Sequence, residues 1–308
     1  MTSLDLALTF SGPAALLVAL ALGLYATVRA RGRLAIAAAA AAIVLVPPGI
    51  YATGMRYRSP PEPLERSLGP GIDYERLTTD GPSVVHLVRI DLKRPDLVPV
   101  ATEPSPGRAV PAQRVRDFAR EHDAAVAMNT AFFHPFHANS PLDYYPRTGE
   151  PTEPFGLTMT DGVEFGANRF HKATVYLSED HASLDPFDAA RWAVTGRTVL
   201  VRGGQARDVD DVAVAPRSAI AFGGGRLWFV VADGRQPGYS EGMTLDALAR
   251  LLAERGARWA VEMDGGGSST LIDATGRRVR ALNCPIHTRL PCRERPVAAQ
   301  VGVRYAPR

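Results

Sequence analysis

The sequence predicts an α+β domain with a mixed, largely antiparallel sheet and a few packed helices, preceded by an N-terminal hairpin of two transmembrane helices. Two long apolar runs fill most of the first 53 residues. Short segments that alternate apolar and polar residues follow, separated by glycine-rich turns, and this pattern is typical of strands. Helical patterns are few and isolated among these segments, which favours an α+β domain over a doubly wound one.

Composition limits the size of the domain and the class of its partners. The chain has 308 residues, of which 46% are hydrophobic and 22% charged, enough for one sizeable domain and too apolar for a disordered chain. Its formal net charge is only +3, and basic and acidic residues are interspersed rather than gathered in blocks. We therefore expect no nucleic-acid partner.

The two apolar runs cover residues 4–28 and 34–53. The first run has about twenty uncharged residues after one early acid, the length that a bilayer core requires. The second is rich in alanine and reaches Pro47 and Pro48, so it is the weaker candidate. We expect both runs to contact a lipid bilayer, with residues 1–53 forming a transmembrane hairpin.

The charges between the runs predict which side of the membrane the domain occupies. The connecting loop carries Arg29, Arg31 and Arg33, whereas no lysine or arginine precedes the first run. The positive-inside rule puts this loop in the cytoplasm, so the domain lies on the extracytoplasmic side of the cytoplasmic membrane. Two alternatives stay open. One is a cleaved signal peptide, although the usual positive start is missing, and the other is insertion of the first helix alone, with a cytoplasmic domain.

The remainder divides into a linker at 54–73, rich in proline, glycine and charge, and a domain at 74–308. Alternation at 84–92 and 97–102 predicts two strands of a hairpin. Residues 111–123 predict a helix that starts at Pro111, and residues 244–256 predict an amphipathic helix that Gly256 ends.

Cys284 and Cys292 are separated by a short loop that contains proline, and a turn could close them into a disulfide. Such a bond would need an oxidising compartment, in agreement with the location expected above. The alternative is a pair of unrelated thiols, because two cysteines alone are not a specific pattern.

The densest group of reactive residues lies at 259–272, where an apolar strand runs into an acid, three glycines and two serines. Glu262 and Asp264 would share one face, about 7 Å apart at Cα, if the strand continues to Asp264. The amides of Gly265, Gly266 and Gly267 could form an anion-binding nest for phosphate or carboxylate. The alternative is a tight turn in which Asp264 caps its own backbone.

Three other segments carry candidate ligands for a sugar phosphate. Asn129 ends a strand and precedes aromatic residues and His134, in a loop suited to a sugar, although a structural histidine is the more common case. Arg217 begins a strand and Asp233 ends one. A fixed guanidinium can hold a phosphoryl group, and either residue could instead be a salt-bridge partner.

Together these segments resemble the phosphodiester glycosidase family. The resemblance rests on the ordered series MNTAFF, PRSAIAFGGGRLWFVVADGR, WAVEMDGGGSSTL and ERPVAAQVGV, and it covers roughly residues 74–306. It places family positions on Asn129, Arg217, Glu294 and Arg295. The sequence departs from the family pattern where Thr130 and Ala131 replace a glycine pair, and where an insertion follows Phe133. That insertion either enlarges a glycan groove or covers a sheet edge.

The resemblance implies hydrolysis of a sugar 1-phosphodiester in cell-envelope or exopolysaccharide glycans, with such a glycan as partner. It requires no certain cofactor and leaves a divalent cation such as calcium open. The roles that follow assign catalysis to the two acids and binding to the others: catalytic Glu262 and Asp264; phosphate-binding Arg217, Gly265, Gly266, Gly267 and Ser268; and sugar-binding Asn129, Asp233 and His134.

Two other functions are compatible with these residues. In a metal-dependent phosphodiesterase, Glu262, Asp264 and a histidine would bind a divalent ion and cleave the P–O bond. In a non-catalytic glycan-binding module, the altered asparagine motif would have removed the geometry that catalysis requires, and the domain would only bind glycans.

Overall fold

The computed structural model describes residues 3–29, 32–56, 58–79, 81–166 and 173–306. The chain divides into two compact units, which are described separately. The first comprises Met1–Ser59 with Pro237–Tyr239, and the second comprises Pro60–Gln236 with Ser240–Arg308.

The first unit contains two helices, α1 (Ser3–Val28) and α2 (Arg33–Arg56), which pack on each other and bury Ala19 and Ala38. Among the described residues, no helix combines the length and the hydrophobicity that crossing a membrane requires. The predicted transmembrane hairpin is therefore wrong, and the structure does not support the predicted contact with a lipid bilayer. The number of uncharged residues overestimated the hydrophobicity of these two helices, because alanine, glycine and proline contribute little to it. Arg31 of the connecting loop lies outside the described residues.

The second unit consists mainly of strands. Its first half contains β1 (Leu64–Gly69), β2 (Ile72–Thr79), β3 (Ser83–Asp91), β4 (Leu97–Ala101), β5 (Val110–Pro111), α3 (Val115–Glu121), β6 (Val126–Asn129), β7 (Phe133–His134), β8 (His137–Ala138), β9 (Tyr144–Tyr145), β10 (Pro151–Pro154), β11 (Thr158–Thr160) and β12 (Val163–Phe165).

Its second half has the same character, with one longer helix and two short 3₁₀ turns. It contains β13 (Ala173–Leu177), β14 (Ala182–Ser183), β15 (Trp192–Gly196), β16 (Val199–Arg202), β17 (Gln205–Ala206), β18 (Arg217–Gly223), β19 (Arg226–Ala232), α4 (Leu245–Glu254), β20 (Trp259–Met263), a 3₁₀ turn (Gly266–Ser268), β21 (Leu271–Asp273), β22 (Arg280–Ala281), a 3₁₀ turn (His287–Arg289) and β23 (Gln300–Tyr305).

Two sheets determine the architecture. The main sheet has the strand order β1-β2-β3-β19-β18-β20-β16-β17, and a second sheet has the order β22-β21-β6-β23-β4. A third sheet, β12-β11-β15-β13-β14, and two smaller ones complete the unit. Where two named strands pair in the described residues, they pair antiparallel, so the sheets are antiparallel rather than mixed.

The buried side chains show how these layers are stacked. Val88 and Phe229 of the main sheet pack against Met128 and Val301 of the second sheet. The opposite face of the main sheet is covered by α4, and the opposite face of the second sheet is covered by α3. The unit therefore has an α-β-β-α order, with its largest apolar core between the two sheets.

Local sequence explains the two best-formed elements. Strands β18 and β19 form a hairpin whose two-residue turn, Gly224-Gly225, has positive φ at both positions (59° and 76°), a conformation that favours glycine. Thr244 caps α4 by accepting a hydrogen bond from the Ala247 amide (3.1 Å). The chain leaves this helix at Gly256, where φ is 87°, as the sequence predicted.

Three local predictions differ from the structure. Strands form near 84–92 and 97–102, but β3 joins the main sheet and β4 pairs with β23, so they are not a hairpin. Pro111 belongs to β5, and the helix begins later, at Val115. Strand β1 lies inside the range 54–73 for which we expected a linker, because it pairs with β2 at the edge of the main sheet.

Candidate active site

An open cleft of about 430 Å³ lies where loops from the main and second sheets meet. The Asp264 amide, just after β20, donates to the Thr130 carbonyl (2.7 Å), just after β6, and this bond joins the two sheets below the cleft. The cleft is lined by Phe132, Phe136, Ala138, Arg197, Ala215, Pro216, Arg217, Arg235, Glu262, Asp264, Gly265, Gly266, Gly267, Ile286, Thr288, Arg289 and Arg295.

Glu262 lies on β20 and is buried (2% exposed). Both of its carboxylate oxygens accept hydrogen bonds from Arg197, from Nη2 to Oε1 (2.7 Å) and from Nε to Oε2 (3.1 Å). Arg217 Nη1 approaches Oε1 as well, at 3.6 Å. A bidentate pair with a second cation nearby holds the carboxylate rigidly. Glu262 therefore orients two guanidiniums in the cleft.

Asp264 is the second carboxyl group of the cleft, and its environment is different. Burial raises its pKa from 3.8 to about 6, and the nearby charge of Glu262 also raises it. The Arg295 and Arg197 charges and a hydrogen bond from Ser268 lower the pKa and limit the increase. This carboxyl group can therefore exchange a proton near neutral pH.

Strand β20 ends at Met263, one residue before Asp264. The strand alternation that we expected to align the two carboxyl groups therefore stops short of the second one. Both residues still line the cleft. They are brought there by the turn after β20, which the Asp264 amide fixes to the second sheet.

Arg295 connects the Asp264 region to the loop between the cysteines. Its Nη1 donates to Ser268 Oγ (3.0 Å), and its Nε donates to His287 Nδ1 (3.2 Å). Burial lowers the pKa of Arg295 to about 10, so the side chain stays charged at neutral pH. Its neighbour Glu294 faces away and accepts hydrogen bonds from Arg116 of α3.

His287 is neutral at any pH near neutrality. Burial, followed by the charges of Arg295 and Arg293, lowers its pKa to about 3. Its Nδ1 accepts from Arg295, so the proton of the neutral ring is on Nε2. The ring meets Tyr144 of the insertion edge to face, at 4.7 Å between centroids. His287 therefore serves as a fixed acceptor that orients Arg295.

The three glycines line the cleft, but their amides are partly used by the protein itself. The Gly266 amide donates to the Pro216 carbonyl (2.8 Å), and the Ser268 amide donates to the Gly265 carbonyl (3.2 Å). The predicted anion-binding nest thus loses the Gly266 donor. A steric reason for one glycine is clear, since a Cβ at Gly267 would lie 2.5 Å from Arg295 Nη2.

Arg217 is buried and lines the cleft as predicted. Its Nε donates to the Met243 carbonyl (3.0 Å), and its Nη2 donates to Asp211 (3.1 Å). These two bonds fix the guanidinium, while Nη1 faces Glu262. This position is compatible with both roles considered for Arg217, a phosphate ligand and a salt-bridge partner.

Asn129 is fully buried and does not line the cleft. Its Nδ2 donates to the Asp264 carbonyl (2.6 Å), and its Oδ1 accepts from the Thr270 amide (3.0 Å) and Ser218 (3.2 Å). The side chain therefore ties together the strands that end at the site. Its position differs from the one that we expected for a sugar ligand, because the side chain supports the turn after β20 from behind the cleft.

Asp233 is also buried behind the site (1% exposed). Its carboxylate is paired with His86 (3.2 Å) and accepts hydrogen bonds from Asn283 (3.0 Å) and the Cys284 amide (3.0 Å). These partners and the His86 charge keep the pKa of Asp233 low despite burial. It anchors the start of the cysteine loop and does not reach the cleft.

His134 lies on β7 outside the cleft lining. Its Nε2 is 3.2 Å from Glu153 of β10 but forms no hydrogen bond with it. Its ring packs on Phe155. The common structural role of a histidine fits this position better than a sugar contact does.

Cys284 and Cys292 form a disulfide, as predicted. The bond closes the loop that contains His287, Thr288 and Arg289, of which the last two line the cleft. The start of this loop is held by Asp233 through the Cys284 amide. One wall of the site therefore depends on this covalent link.

Metal binding is not supported by the donor set of the cleft. Across the described parts of the chain, no group of three or more histidine, cysteine, aspartate or glutamate side chains could hold a metal ion. Both oxygens of Glu262 are occupied by Arg197.

Comparison with known families settles the relationship suggested by the motifs. The model of the phosphodiester glycosidase family matches residues 122–304, more than half of the chain. The chain belongs to the phosphodiester glycosidase family. No protein of curated function matches it in sequence.

Solved structures share the fold of this phosphodiester glycosidase. The catalytic domain of the zebrafish N-acetylglucosamine-1-phosphodiester alpha-N-acetylglucosaminidase, auto-inhibited by its pro-peptide, aligns with a TM-score of 0.54 and 20% identity over 80% of this chain and 88% of that one. A hypothetical protein from Synechocystis aligns with a TM-score of 0.54 and 15% identity, over 79% and 64%. A putative exported protein from Burkholderia pseudomallei gives 0.51 and 16%, over 73% and 74%.

Family membership makes this chain a hydrolase, a glycosidase that acts on phosphodiesters, as the motifs predicted. The family motifs account for Arg217, Glu262, Asp264, the glycine turn and Arg295 at the cleft. Sequence reasoning missed Arg197, Arg235 and Arg289 as lining residues. The signal available for Arg235 was its position directly after a predicted strand end, whereas Arg197 and Arg289 lie in loops without a distinctive pattern.

The insertion after Phe133 forms part of the cleft wall. Phe136 and Ala138 line the cleft, and the Arg295 guanidinium stacks on Phe136 at 4.4 Å from the ring centroid. The insertion also contacts the cysteine loop, where Arg293 Nη1 donates to the Pro141 carbonyl (3.1 Å). Of the two roles considered for this phosphodiester glycosidase, shaping the groove therefore agrees with the structure.

Proposed function

We propose that this phosphodiester glycosidase hydrolyses a sugar 1-phosphodiester of the cell envelope or an exopolysaccharide by cleaving the anomeric C1–O bond. The observation that supports this most directly is the half-buried Asp264, whose pKa of about 6 suits proton transfer, in a cleft lined by arginines. An anionic substrate and an acid–base carboxyl group are both needed for this reaction.

The charge of the cleft suits a phosphodiester. Its lining includes five arginines and two carboxyl groups, so the balance is positive even with both acids ionised. Planar guanidiniums bind phosphate oxygens in pairs of hydrogen bonds. Buried donors strengthen such contacts because little water competes with them. A neutral glycan would leave this charge uncompensated.

The two carboxyl groups have different roles in this proposal. Glu262 is a positioning residue, because Arg197 occupies both of its oxygens and Arg217 is close by. Asp264 is the catalytic base. Water adds its hydroxyl to C1, and its proton goes to the Asp264 carboxylate. The C1–O bond breaks with its electron pair on the phosphate oxygen, which gives a free sugar and a phosphomonoester.

Phosphate needs no protonation to leave, so a general acid is not required on that side. Arg217 and Arg295 are placed to stabilise the growing negative charge on phosphate. Ser268 connects Arg295 to Asp264, since it accepts from one and donates to the other. Binding of the phosphate and activation of water are thus coupled within one hydrogen-bonded group.

The proposed compartment is extracytoplasmic. The disulfide between Cys284 and Cys292 supports it, because such bonds persist mainly in oxidising environments. Phosphodiester-linked sugars of wall or exopolysaccharide are the substrates that a protein would meet there.

The test is hydrolysis of a panel of sugar 1-phosphodiesters in oxygen-18 water by the wild-type protein and by Asp264→Asn. We expect the label in the released sugar, because C1–O cleavage puts the oxygen of water on C1. Turnover should fall by roughly a thousandfold in the variant. Label in phosphate would instead mean P–O cleavage and refute the proposal. Glycan binding without turnover across the panel would point to a non-catalytic module.

The pH dependence of kcat/KM provides a second measurement on the same substrates. The base must be ionised, so we expect activity to rise with pH and to level off above an apparent pKa of about 6. A profile that falls over this range would show that the protonated form of Asp264 is the active one.

A further inference from the structure

The insertion after Phe133 carries two aromatic rings on one small hairpin. Its strands β8 and β9 pair antiparallel, with Ala138 opposite Tyr144. Phe136 stands directly before β8, and Tyr144 lies on β9. The two rings therefore come from the two arms of the same element. Because this segment departs from the family pattern, its contacts do not follow from family membership.

Phe136 supports the guanidinium of Arg295. The Arg295 Cζ atom lies 4.4 Å from the centroid of the Phe136 ring, which is within the range of a cation–π contact. Phe133, which is buried, meets the same ring edge to face, at 5.8 Å between centroids. Phe136 is therefore backed by a buried side chain and offers the guanidinium a fixed surface.

Tyr144 reaches Arg295 indirectly, through His287. Its ring meets the imidazole edge to face at 4.7 Å, and the imidazole Nδ1 accepts a hydrogen bond from Arg295 Nε (3.2 Å). Within the described parts of the chain, His287 Nε2 has no hydrogen-bond partner. The orientation of this imidazole therefore depends on its Nδ1 bond and on packing against Tyr144.

The Tyr144 ring is itself held by neighbouring guanidiniums. The Cζ atoms of Arg293 and Arg147 lie 4.9 and 5.3 Å from its centroid. Arg293 Nη1 also donates to Thr288 Oγ1 (2.8 Å) in the cysteine loop. The ring is thus attached to the cysteine loop as well as to the insertion, which keeps it beside His287.

These contacts restrict a side chain that would otherwise be flexible. A free arginine side chain has many rotamers, and fixing it costs conformational entropy. A guanidinium stabilises developing charge most effectively when it is already in place, because no reorganisation is then needed during the reaction. Support of Arg295 from its ring face and at Nε provides such placement.

We propose that Phe136 and Tyr144 are positioning residues for Arg295, which the insertion holds in the orientation that stabilises the departing phosphate. This inference rests on the proposed function, since it assigns supporting residues to the same site. Phe136 acts on the plane of the guanidinium, and Tyr144 acts through His287 on the Nε donor. The insertion therefore contributes to catalysis as well as to the shape of the cleft.

A double-mutant cycle in the full-length protein tests this role with a sugar 1-phosphodiester as substrate. Phe136→Leu and Tyr144→Leu should each lower kcat/KM by about tenfold, mainly through kcat. In the Arg295→Gln background the same changes should lower the residual kcat/KM by less than about twofold, because the residue through which they act is gone. Tyr144→Phe keeps the ring and should retain nearly all of the activity.

Tyr145→Leu is the matched control. Tyr145 is the next residue of β9, but its ring stacks on His137 (6.2 Å between centroids) and its hydroxyl donates to the Pro151 carbonyl (2.7 Å). These contacts stay within the insertion and β10, so kcat/KM should remain within about twofold of the wild type. Thermal unfolding verifies that each variant is folded, and Phe136→Leu carries the test if Tyr144→Leu does not fold.

The state of His287 provides a measurement that needs no turnover. In the wild type, nitrogen NMR should show Nδ1 without a proton and Nε2 with one. In Tyr144→Leu we expect a mixture of the two tautomers and a pKa above the wild-type value of about 3, since water reaches the ring. Tyr144→Phe should resemble the wild type. An unchanged tautomer and pKa in Tyr144→Leu would overturn the role of Tyr144.

Two further outcomes distinguish failure of this inference from failure of the proposed function. Suppose that no phosphodiester is hydrolysed, but calorimetry shows about threefold weaker binding of inorganic phosphate in Tyr144→Leu, and this effect vanishes in the Arg295→Gln background. The positioning role is then supported and the proposed reaction is wrong. If the substrate is hydrolysed and Tyr144→Leu has the same effect in both backgrounds, the reaction is supported and the positioning role is overturned.

Discussion

Asp264 shows how one residue links stability to function. Its side chain is half-buried, and desolvation raises the pKa of its carboxyl group from 3.8 to about 6. The folded state therefore binds this proton more tightly than the unfolded chain does. The stability that this protonated carboxyl group contributes below about pH 4 is lost as the pH rises through about 6. The protein keeps a charged group in an unfavourable place, as is common at catalytic sites.

Asp264→Asn should make the protein more stable at neutral pH, because the amide has no charge to bury. Relative to the wild type, the free energy of unfolding of the variant should increase by up to about 3 kcal/mol between pH 4 and pH 7. Denaturant unfolding at several pH values measures this difference. A constant difference across this range would show that Asp264 does not titrate as described.

Gly267 offers a second test at the residue scale. A Cβ there would lie 2.5 Å from Arg295 Nη2, whereas a Cβ at Gly276 would meet nothing within 4 Å. Gly267→Ala should therefore displace Arg295 and lower kcat/KM by about tenfold or more, since that guanidinium is assigned to phosphate. Gly276→Ala is the control and should leave the kinetics unchanged. Normal activity in Gly267→Ala would remove Arg295 from the phosphate site.

At the scale of elements, the ends of three strands position the site. Strand β20 presents Glu262, and the turn after it presents Asp264. Strand β6 ends at Asn129, which bonds both the Asp264 carbonyl and the Thr270 amide. Strand β18 begins at Arg217. Because these strands belong to two packed sheets, the packing of the sheets also fixes the spacing of the catalytic groups.

The cysteine loop is the least regular of these elements and depends on its covalent bond. It contains His287, which orients Arg295, and it begins at Cys284, which Asp233 holds. Closing a loop of this length restricts the unfolded chain and contributes about 2–3 kcal/mol. Release of the bond would loosen both one wall of the cleft and the support of Arg295.

Replacing both Cys284 and Cys292 by serine should lower the free energy of unfolding by about 2–3 kcal/mol and reduce kcat/KM. Addition of a reductant to the wild-type protein should have the same effect. The serine variant is the control for the reductant, which should not change it further. A variant as stable and active as the wild type would show that the loop keeps its shape without the bond.

For the protein as a whole, we propose an extracytoplasmic compartment. A disulfide that persists in the cell requires an oxidising environment. We expect both cysteines to be oxidised when cells that produce the protein are quenched in acid, denatured and treated with a thiol-reactive reagent. The mass of the protein should then increase only after prior reduction. Labelling without reduction would place the chain in a reducing compartment.

The predictions from sequence succeeded where a local pattern has a direct structural meaning. The glycine turn of the β18–β19 hairpin, helix α4 and the acid–glycine–serine segment all follow from short-range backbone and side-chain chemistry. The pairing of β3 with β19 and of β4 with β23 did not follow, because these partners are far along the chain. The apolar N-terminal runs misled the prediction, since their length said little about their hydrophobicity.

The sequence by itself determined the family, the antiparallel-rich α+β character and the identity of the acids, Glu262 and Asp264, that line the cleft. Only the tertiary structure decided what each group can do. It paired both oxygens of Glu262 with Arg197 and placed Asp264 where desolvation raises its pKa, so the two carboxyl groups have different environments. It also withdrew Asn129 and Asp233 from the cleft. The physical reason is that burial and charge pairing arise from contacts between distant segments, which no local pattern specifies.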